Sequence, residues 1–282
     1  MEVDVVPVGP YRMPGGGVDG VLRNRAGVLE RLLHVKGEPA TVRAWVAGGA
    51  VRVRGEAASR PVAAEAVERM RFALGVDHDL RPFQKAFRRD RLLGPVIRRN
   101  PWLRPRRRPE QFDAFAWAVT EQLIDVERAF RIQRAVVGRY GPRSGCGRLR
   151  DVPSAAAFAR LAPAQLDACG LAPKRSIALI RAAREVASGR ADLGRHEPTW
   201  QRLRTVRNIG TWTLDCLAFL GQGRDDRLPA GDLAFVKWVG RAAGLGRRAT
   251  EEEVRAFFEP YAPYQALAGM YALRVPLTTG PV

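Results

Sequence analysis

Apolar residues recur along this chain at two spacings, and the change between them falls near residue 80. Ala40 to Val46 and Ala50 to Gly55 alternate apolar and polar positions, with Gly48 and Gly49 between them. That alternation predicts a β-hairpin. Val62, Ala66, Val67, Met70 and Leu74 then follow at helical spacing, which predicts a helix over 61–74. Strands followed by a helix make a small α+β unit over 1–80. Beyond Pro109 the pattern is helical almost throughout. One long helix is expected from Asp113 to Tyr140, its apolar face carried by Phe115, Val119, Leu123, Phe130 and Val137. Ser154 is placed to cap a short helix, and Pro163 and Pro173 to open two more. Helices are further expected over 199–206, 211–220 and 232–243. Another follows the capping box at Thr250 to Glu253, and a last one covers 263–273.

Between the two regimes, Arg81 to Pro109 is dominated by charge. Arg88-Arg89, Arg98-Arg99 and Arg106 to Arg108 interleave with Phe83, Phe87 and Trp102. It reads either as a solvated connection or as a phosphate-contacting flank, and its Pro-rich end over 100–109 marks the boundary between domains. The chain thus divides into 1–80 and a helical 81–282, with 81–111 as a basic connection. Its 282 residues, 46% hydrophobic and 27% charged, are enough for real cores. Lys and Arg number 47 against 29 acidic residues, a net charge of +18. The Arg excess follows in part from an Ala/Arg/Gly/Val compositional bias. A charge of +18 nevertheless calls for a polyanionic partner, nucleic acid before an anionic membrane. The opening residues Met1 to Val5 are read as carrying no signal peptide, and no run reaches the roughly 20 apolar residues of a membrane span. Cys146, Cys169 and Cys216 fit neither a zinc nor an iron–sulfur spacing, so a reducing cytoplasm is the expected home.

The chemistry concentrates in two segments. Leu203 to Thr213 pairs an apolar helix end with a short turn at Ile209-Gly210 and a new helix at Thr211-Trp212, a helix–hairpin–helix pattern. Such a turn points backbone N–H groups of the second helix outward, where helix dipole and donors favour a phosphate. Asn208 stands where this pattern usually has Gly, and Asn is the residue that best tolerates the left-handed region there. About twenty residues later Asp232 follows a Pro-Ala-Gly turn. Its position suits a helix N-cap, and equally a carboxylate carried back to the hairpin.

These residues carry a family likeness. Phe112-Asp-Ala-Phe115 with Glu121-Gln-Leu123, Gly170-Leu-Ala-Pro-Lys-Arg175, Asn208-Ile-Gly-Thr-Trp-Thr213 and Leu228-Pro-Ala-Gly-Asp232 resemble the helix–hairpin–helix DNA glycosylases, most closely the AlkA-type 3-methyladenine DNA glycosylase II branch. Val62 to Met70 resembles the helix of that branch's TBP-like N-terminal domain. The resemblance implies a mainly α fold: an all-α glycosylase core with a smaller α+β, TBP-like domain before it. It implies a monomeric enzyme that binds duplex DNA, flips an alkylated base into a pocket and hydrolyses its N-glycosidic bond. Asp232 would stabilise the cationic sugar and position the water. Trp212, where lyase relatives carry a nucleophilic Lys, would offer a π face to the base, so hydrolysis without strand cleavage is expected. Cys216, Leu233 and Leu273 would complete the pocket. None of the three is aromatic as in relatives; Tyr271, Tyr264 and Phe235 are the candidates to compensate. DNA contacts would come from Gln122, Leu123 as an apolar wedge, Lys174, Arg175, Asn208, Ile209, Gly210, Thr211 and Thr213. The carbonyls of Arg204, Val206 and Ile209 would hold a monovalent cation, and no other cofactor is implied. The ordinary alternatives stay open: Trp212 and Leu123 as core residues, Asp232 as a cap, and the whole as a non-catalytic or weakly active DNA-binding paralogue. A glycosylase for deaminated or oxidised bases is a further alternative.

Overall fold

Residues 1–277 are described by the structure, a computed structural model, with all their side chains except those of 196 and 197. Five strands come first: β1 (Glu2–Val5), β2 (Arg23–Arg25), β3 (Val28–Val35), β4 (Glu38–Ala47) and β5 (Ala50–Ala57). They form one antiparallel sheet in the order β1-β5-β4-β3-β2. The expected hairpin is β4–β5, closed by Gly48 and Gly49, both at positive φ. Lys36 and Gly37 close β3–β4 in the same way. In these two-residue turns both central residues take the left-handed twist that matches the strands. Helix α1 (Arg60–Leu74) is capped by the Ser59 hydroxyl and lays Val62, Ala66, Val67, Met70 and Leu74 over Leu29, Leu33, Val42 and Val53. A Cβ on Gly55 would lie 2.8 Å from the Ala63 carbonyl, so only glycine lets β5 approach α1 this closely.

The helical part follows: α2 (Arg81–Phe87), α3 (Gly94–Arg99), α4 (Gln111–Glu121), α5 (Val126–Tyr140), α6 (Ala155–Ala159), α7 (Pro163–Asp167) and α8 (Pro173–Ala187). After these come α9 (His196–Arg204), α10 (Thr211–Cys216), α11 (Leu233–Ala242), α12 (Glu251–Phe258) and α13 (Gln265–Ala272). One turn of π-helix, Leu217–Gly221, extends α10. Two apolar cores form. The first joins α4 through α10 around Phe115, Trp117, Ile132, Leu179 and Leu203. The second joins α2 and α3 to α11, α12 and α13 around Phe83, Ile97, Trp238, Phe258 and Tyr271. Leu220 packs against both, so the π-helical turn lies at their seam. None of the described helices is long and apolar enough to cross a membrane.

Three expectations are corrected. The long helix over 113–140 is broken after Glu121, and α5 restarts under an Asp125 cap on the Arg128 N–H. Apolar residues run on through the break, so periodicity alone reads across it. Leu123, expected on the buried face, sits in that break at φ +54 and is fully exposed. The third concerns the Arg-rich stretch, which is more than a connection: it contains α2 and α3, and while Arg88, Arg89, Arg98, Arg99 and Arg106 are exposed, its last part turns inward. Arg104 donates to the Pro10 and Val8 carbonyls, Arg107 to Asp225, and Arg108 to Asp19 at 2.5 Å. These guanidiniums turn inward and bind the sheet domain to the helical body.

A buried ionic cluster completes that joint. Arg31 on β3, 3% exposed, meets Asp113 of α4 at 2.6 Å and Asp151 at 3.7 Å, and His34 meets Asp151 at 2.9 Å. Burial pushes Asp113 up to about 7 against the pull of Arg31, with Asp151 and Glu110 pushing the same way. Arg31→Met leaves that carboxyl without its cation and is expected to cost about 3–5 kcal/mol, measured as a lower urea midpoint at unchanged slope. The folded protein holds the Asp113 proton more tightly than the unfolded chain, whose value is 3.8. The stability difference between wild type and Asp113→Asn is therefore expected to be most favourable to wild type below pH 3.8. It should shrink as pH rises through about 7, which paired denaturation curves at several pH values will read.

Candidate active site at the hairpin

The hairpin is built as its sequence suggests. Leu203, Val206 and Ile209 are buried and anchor it in the first core. The Val206 N–H donates to the Leu203 carbonyl and the Ile209 N–H to the Val206 carbonyl, each at 3.0 Å. Asn208 holds the left-handed conformation at φ +71. Gly210 is the N-cap of α10 and supplies no side-chain acceptor, so the first N–H groups of that helix face outward unpaired by a cap. The space beside Gly210 is open: a Cβ there would meet nothing within 4 Å.

A second turn is riveted to this one. The Gln122 Nε2 group donates to the Asn208 carbonyl and to the Thr213 hydroxyl, both at 2.9 Å. Arg175 at the start of α8 donates to the Thr120 and Gln122 carbonyls at 3.2 and 2.8 Å. A cation thus satisfies the carbonyl end of α4. Asn208 Nδ2 donates to the Lys174 carbonyl at 3.5 Å. The three segments form one surface from which Leu123 projects, flanked by exposed Lys174, Arg204, Arg207 and Arg128. Thr211 is half-buried and accepts from Arg204 at 3.3 Å.

Asp232 carries both roles its sequence position allowed. Its Oδ1 accepts the Ala234 N–H at 2.8 Å and caps α11, while Oδ2 accepts the Trp212 indole N–H at 3.3 Å. That contact spans the seam, because Trp212 belongs to the hairpin helix and Asp232 to the second helical group. Trp212 is half-buried, with its polar edge tied to Asp232. Cys216, one turn beyond on the same side of α10, is buried. Burial, then the charges of Glu121, Asp232 and Asp215, push its thiol well above the usual range.

Not every expected site residue serves as expected. Thr213 is 1% exposed, its hydroxyl spent on Gln122, and Ile209 is buried, so neither side chain is placed to contact DNA. Arg175 acts on backbone carbonyls of α4. Leu233 and Leu273 are both exposed, and only Leu233 adjoins Asp232 in the chain. The compensating aromatics are consumed elsewhere: Tyr271 is fully buried with its hydroxyl on the Asn100 and Leu103 carbonyls, Tyr264 stacks on Phe83 and Phe87, and Phe235 packs on Phe258. One residue without a stated role joins the site. Glu121, the last residue of α4, accepts from Gln133 Nε2 at 2.9 Å, and burial, opposed by that bond, raises its carboxyl above the usual range. Its signal in the sequence is a charge closing the apolar run from Ala114 to Val119. Among the described residues no group of three or more His, Cys, Asp or Glu is placed to hold a metal ion.

An uncapped helix start at the hairpin, an exposed Leu123 and a carboxylate bonded to an indole are the features of this candidate site. The chain belongs to the HhH-GPD superfamily of base excision DNA repair proteins, whose family model matches residues 116–263, just over half its length. It is 28% identical over 214 residues to the DNA-3-methyladenine glycosylase of Bacillus subtilis (strain 168), covering 71% of this chain and 68% of that protein. It is 29% identical over 186 residues to DNA-3-methyladenine glycosylase 2 of Escherichia coli (strain K12), covering 62% and 61%. Its fold is similar to that of the 3-methyladenine DNA-glycosylase from Archaeoglobus fulgidus, with a TM-score of 0.80 at 19% identity over 97% and 96% of the two chains.

The left-handed turn at Asn208 sets a stability test. Asn208→Gly is expected to fold at least as well as the wild type. Asn208→Val, β-branched at φ +71, should lose about 1–3 kcal/mol, read from thermal unfolding.

Proposed function

We propose that this protein is a monofunctional DNA glycosylase that excises alkylated bases of the 3-methyladenine and 7-methylguanine type from duplex DNA. The observation that carries this reading is the Trp212–Asp232 contact, made where the hairpin would deliver a DNA backbone. Hydrolysis of the N-glycosidic bond leaves positive charge on the sugar. Asp232 is the carboxylate that meets it and orients the attacking water. The alkylated base carries its own positive charge and lies against the Trp212 face, with Cys216 and Leu233 beside it. An indole has no nucleophilic amine, so no Schiff base forms at this position and the strand is not cut.

Binding follows from the same surface. The first N–H groups of α10 take a phosphate, the charge of +18 supplies long-range attraction, and Leu123 fills the gap left by the flipped base. A monovalent cation bridging hairpin and phosphate would rest on the Arg204, Val206 and Ile209 carbonyls. The Val206 oxygen, which accepts one N–H, keeps a lone pair for it. The sheet with α1 is consistent with a TBP-like domain. One flipped base needs one copy of the chain, so the enzyme acts as a monomer.

The test is base release from a duplex carrying a single 7-methylguanine, with nicking scored before and after alkali. Asp232→Asn keeps an N-cap of equal quality, so folding should change little while the rate falls by about 10²–10³. If the wild type releases no base, the protein binds DNA without catalysis; nicking without alkali would contradict monofunctional hydrolysis. Gly210→Ala leaves the free fold undisturbed, since its Cβ meets nothing, but it places a methyl group where a phosphate must approach. Its expected result is an unchanged melting temperature and about tenfold weaker duplex binding, a cost close to one charge-assisted hydrogen bond.

A further inference from the structure

A second basic surface lies apart from the hairpin. Lys85 on α2, Arg88 and Arg89 just past it, Arg91 in the turn that follows, and Arg98 and Arg99 closing α3 are all exposed. Arg98 donates to the Arg88 carbonyl at 2.6 Å, so the two arginine pairs stand side by side. Gly94 permits this closeness: a Cβ there would lie 2.7 Å from the Arg88 carbonyl oxygen. The inward faces of both helices are anchored. Phe83, Leu93, Val96 and Ile97 are buried in the second core, Phe87 packs on Tyr261 with ring centres 5.1 Å apart, and Gln84 donates to the Pro101 carbonyl at 2.8 Å. A stiff two-helix platform thus presents six cations to solvent.

No counter-charge accompanies them. Among the described residues none of the six forms an ion pair. Asp90, the carboxyl inside the cluster, is turned away: its Oδ1 accepts the Leu92 and Leu93 N–H groups, and the Tyr261 hydroxyl lies 3.5 Å from each of its oxygens. Arginines of the sheet are treated differently, Arg52 pairing with Asp4, Arg54 with Glu2 and Arg43 with Glu30. Cations near the C-termini of α2 and α3 gain about 0.3–1 kcal/mol from each helix dipole. That accounts for one or two of them, not for six crowded like charges, which repel one another.

We infer that this face of α2 and α3 is a second DNA-binding surface, which holds the backbone of a duplex other than the one at the hairpin. The inference rests on the hairpin's grip on DNA proposed above. Chemistry selects the partner. Five of the six cations are Arg, whose guanidinium forks match phosphate oxygens. No large apolar side chain between residues 81 and 99 is exposed. A protein interface has an apolar core, a membrane-binding surface brings apolar anchors among its basic residues, and a single strand needs aromatic faces for its bases. A duplex backbone needs only charge. The two surfaces also belong to different cores. Leu203, Val206 and Ile209 set the hairpin in the first, whereas α3 packs on α13 in the second. A chain with two such surfaces takes hold of a new duplex before it releases the old one, and so passes between DNA segments without dissociating.

The experiment follows release of the full chain from a labelled, undamaged duplex as unlabelled duplex is added. Transfer through a bridged intermediate makes the wild-type release rate climb with competitor concentration. In Arg88→Gln/Arg89→Gln/Arg91→Gln/Arg99→Gln the rate should no longer depend on competitor. Arg98 is left in place because it ties α3 to the end of α2. Binding of a second duplex to chain already saturated with the first should lose about 3–4 from its log–log salt slope, four phosphates at roughly 0.9 each. The four side chains are exposed, so the melting temperature should hold. A control, Arg23→Gln/Arg25→Gln/Lys36→Gln/Arg60→Gln, removes the same charge from exposed positions of the sheet domain and should behave as wild type. Competitor-dependent release that survives in the α2–α3 variant, that disappears equally in the control, or that is missing from the wild type overturns the second surface. The hairpin reading is judged separately, by base release from a short lesion duplex, which the α2–α3 variant should perform at the wild-type rate. A wild type that binds no duplex overturns both.

Discussion

The side-chain amide of Gln122 spends both of its N–H groups on the hairpin, one on the Asn208 carbonyl and one on the Thr213 hydroxyl. Through this amide the break between α4 and α5 and the turn between α9 and α10 become a single rigid edge. Leu123 is held at positive φ and fully exposed, a conformation that is costly for a branched side chain and persists only where its surroundings over-determine it. Arg175 reinforces the edge from below by taking the carbonyls of Thr120 and Gln122. The same edge fixes the start of α10 beside the break between α4 and α5.

The candidate site lies where two helical cores meet, and its indole and its carboxylate come from opposite sides of that seam. Trp212 and Cys216 ride on α10, Asp232 caps α11, and the bond between indole and carboxylate joins them. Where two packed bodies meet, Asp232 is half-buried without entering either core. Lone buried charges are expensive, and here each is given a partner: Asp215 has Arg255 at 2.9 Å, and Asp19 has Arg108 and the Trp117 indole. The inward-turned arginines of 104–108 do the same work at the joint with the sheet. Arg104, Arg107 and Arg108 therefore serve cohesion, while Arg98, Arg99 and Arg106 stay exposed, as do Lys174, Arg204 and Arg207 near the hairpin.

Local chemistry made much of this legible. Two glycines between alternating runs gave the β4–β5 hairpin, and Ser154, Pro163, Pro173 and Thr250 began the helices they were expected to begin. Asn208 took the left-handed turn it was suited for. Strand β3 escaped notice because Leu32 and Leu33 are both buried, which erases the two-residue alternation. The break at 122–125 escaped because apolar residues continue across it. Tyr271 and Phe235 looked available to a pocket, yet packing claimed both.

Sequence by itself determined the β4–β5 hairpin, most helix starts and the turn at Asn208, because each rests on residues close in the chain: caps, turns and short periodicities. Tertiary structure alone decided which charges face inward, which Leu stands free, and that Gln122 meets Thr213 although 91 residues separate them. Those outcomes depend on long-range packing, where a side chain's role is set by which helix arrives opposite it. No local pattern encodes that arrival.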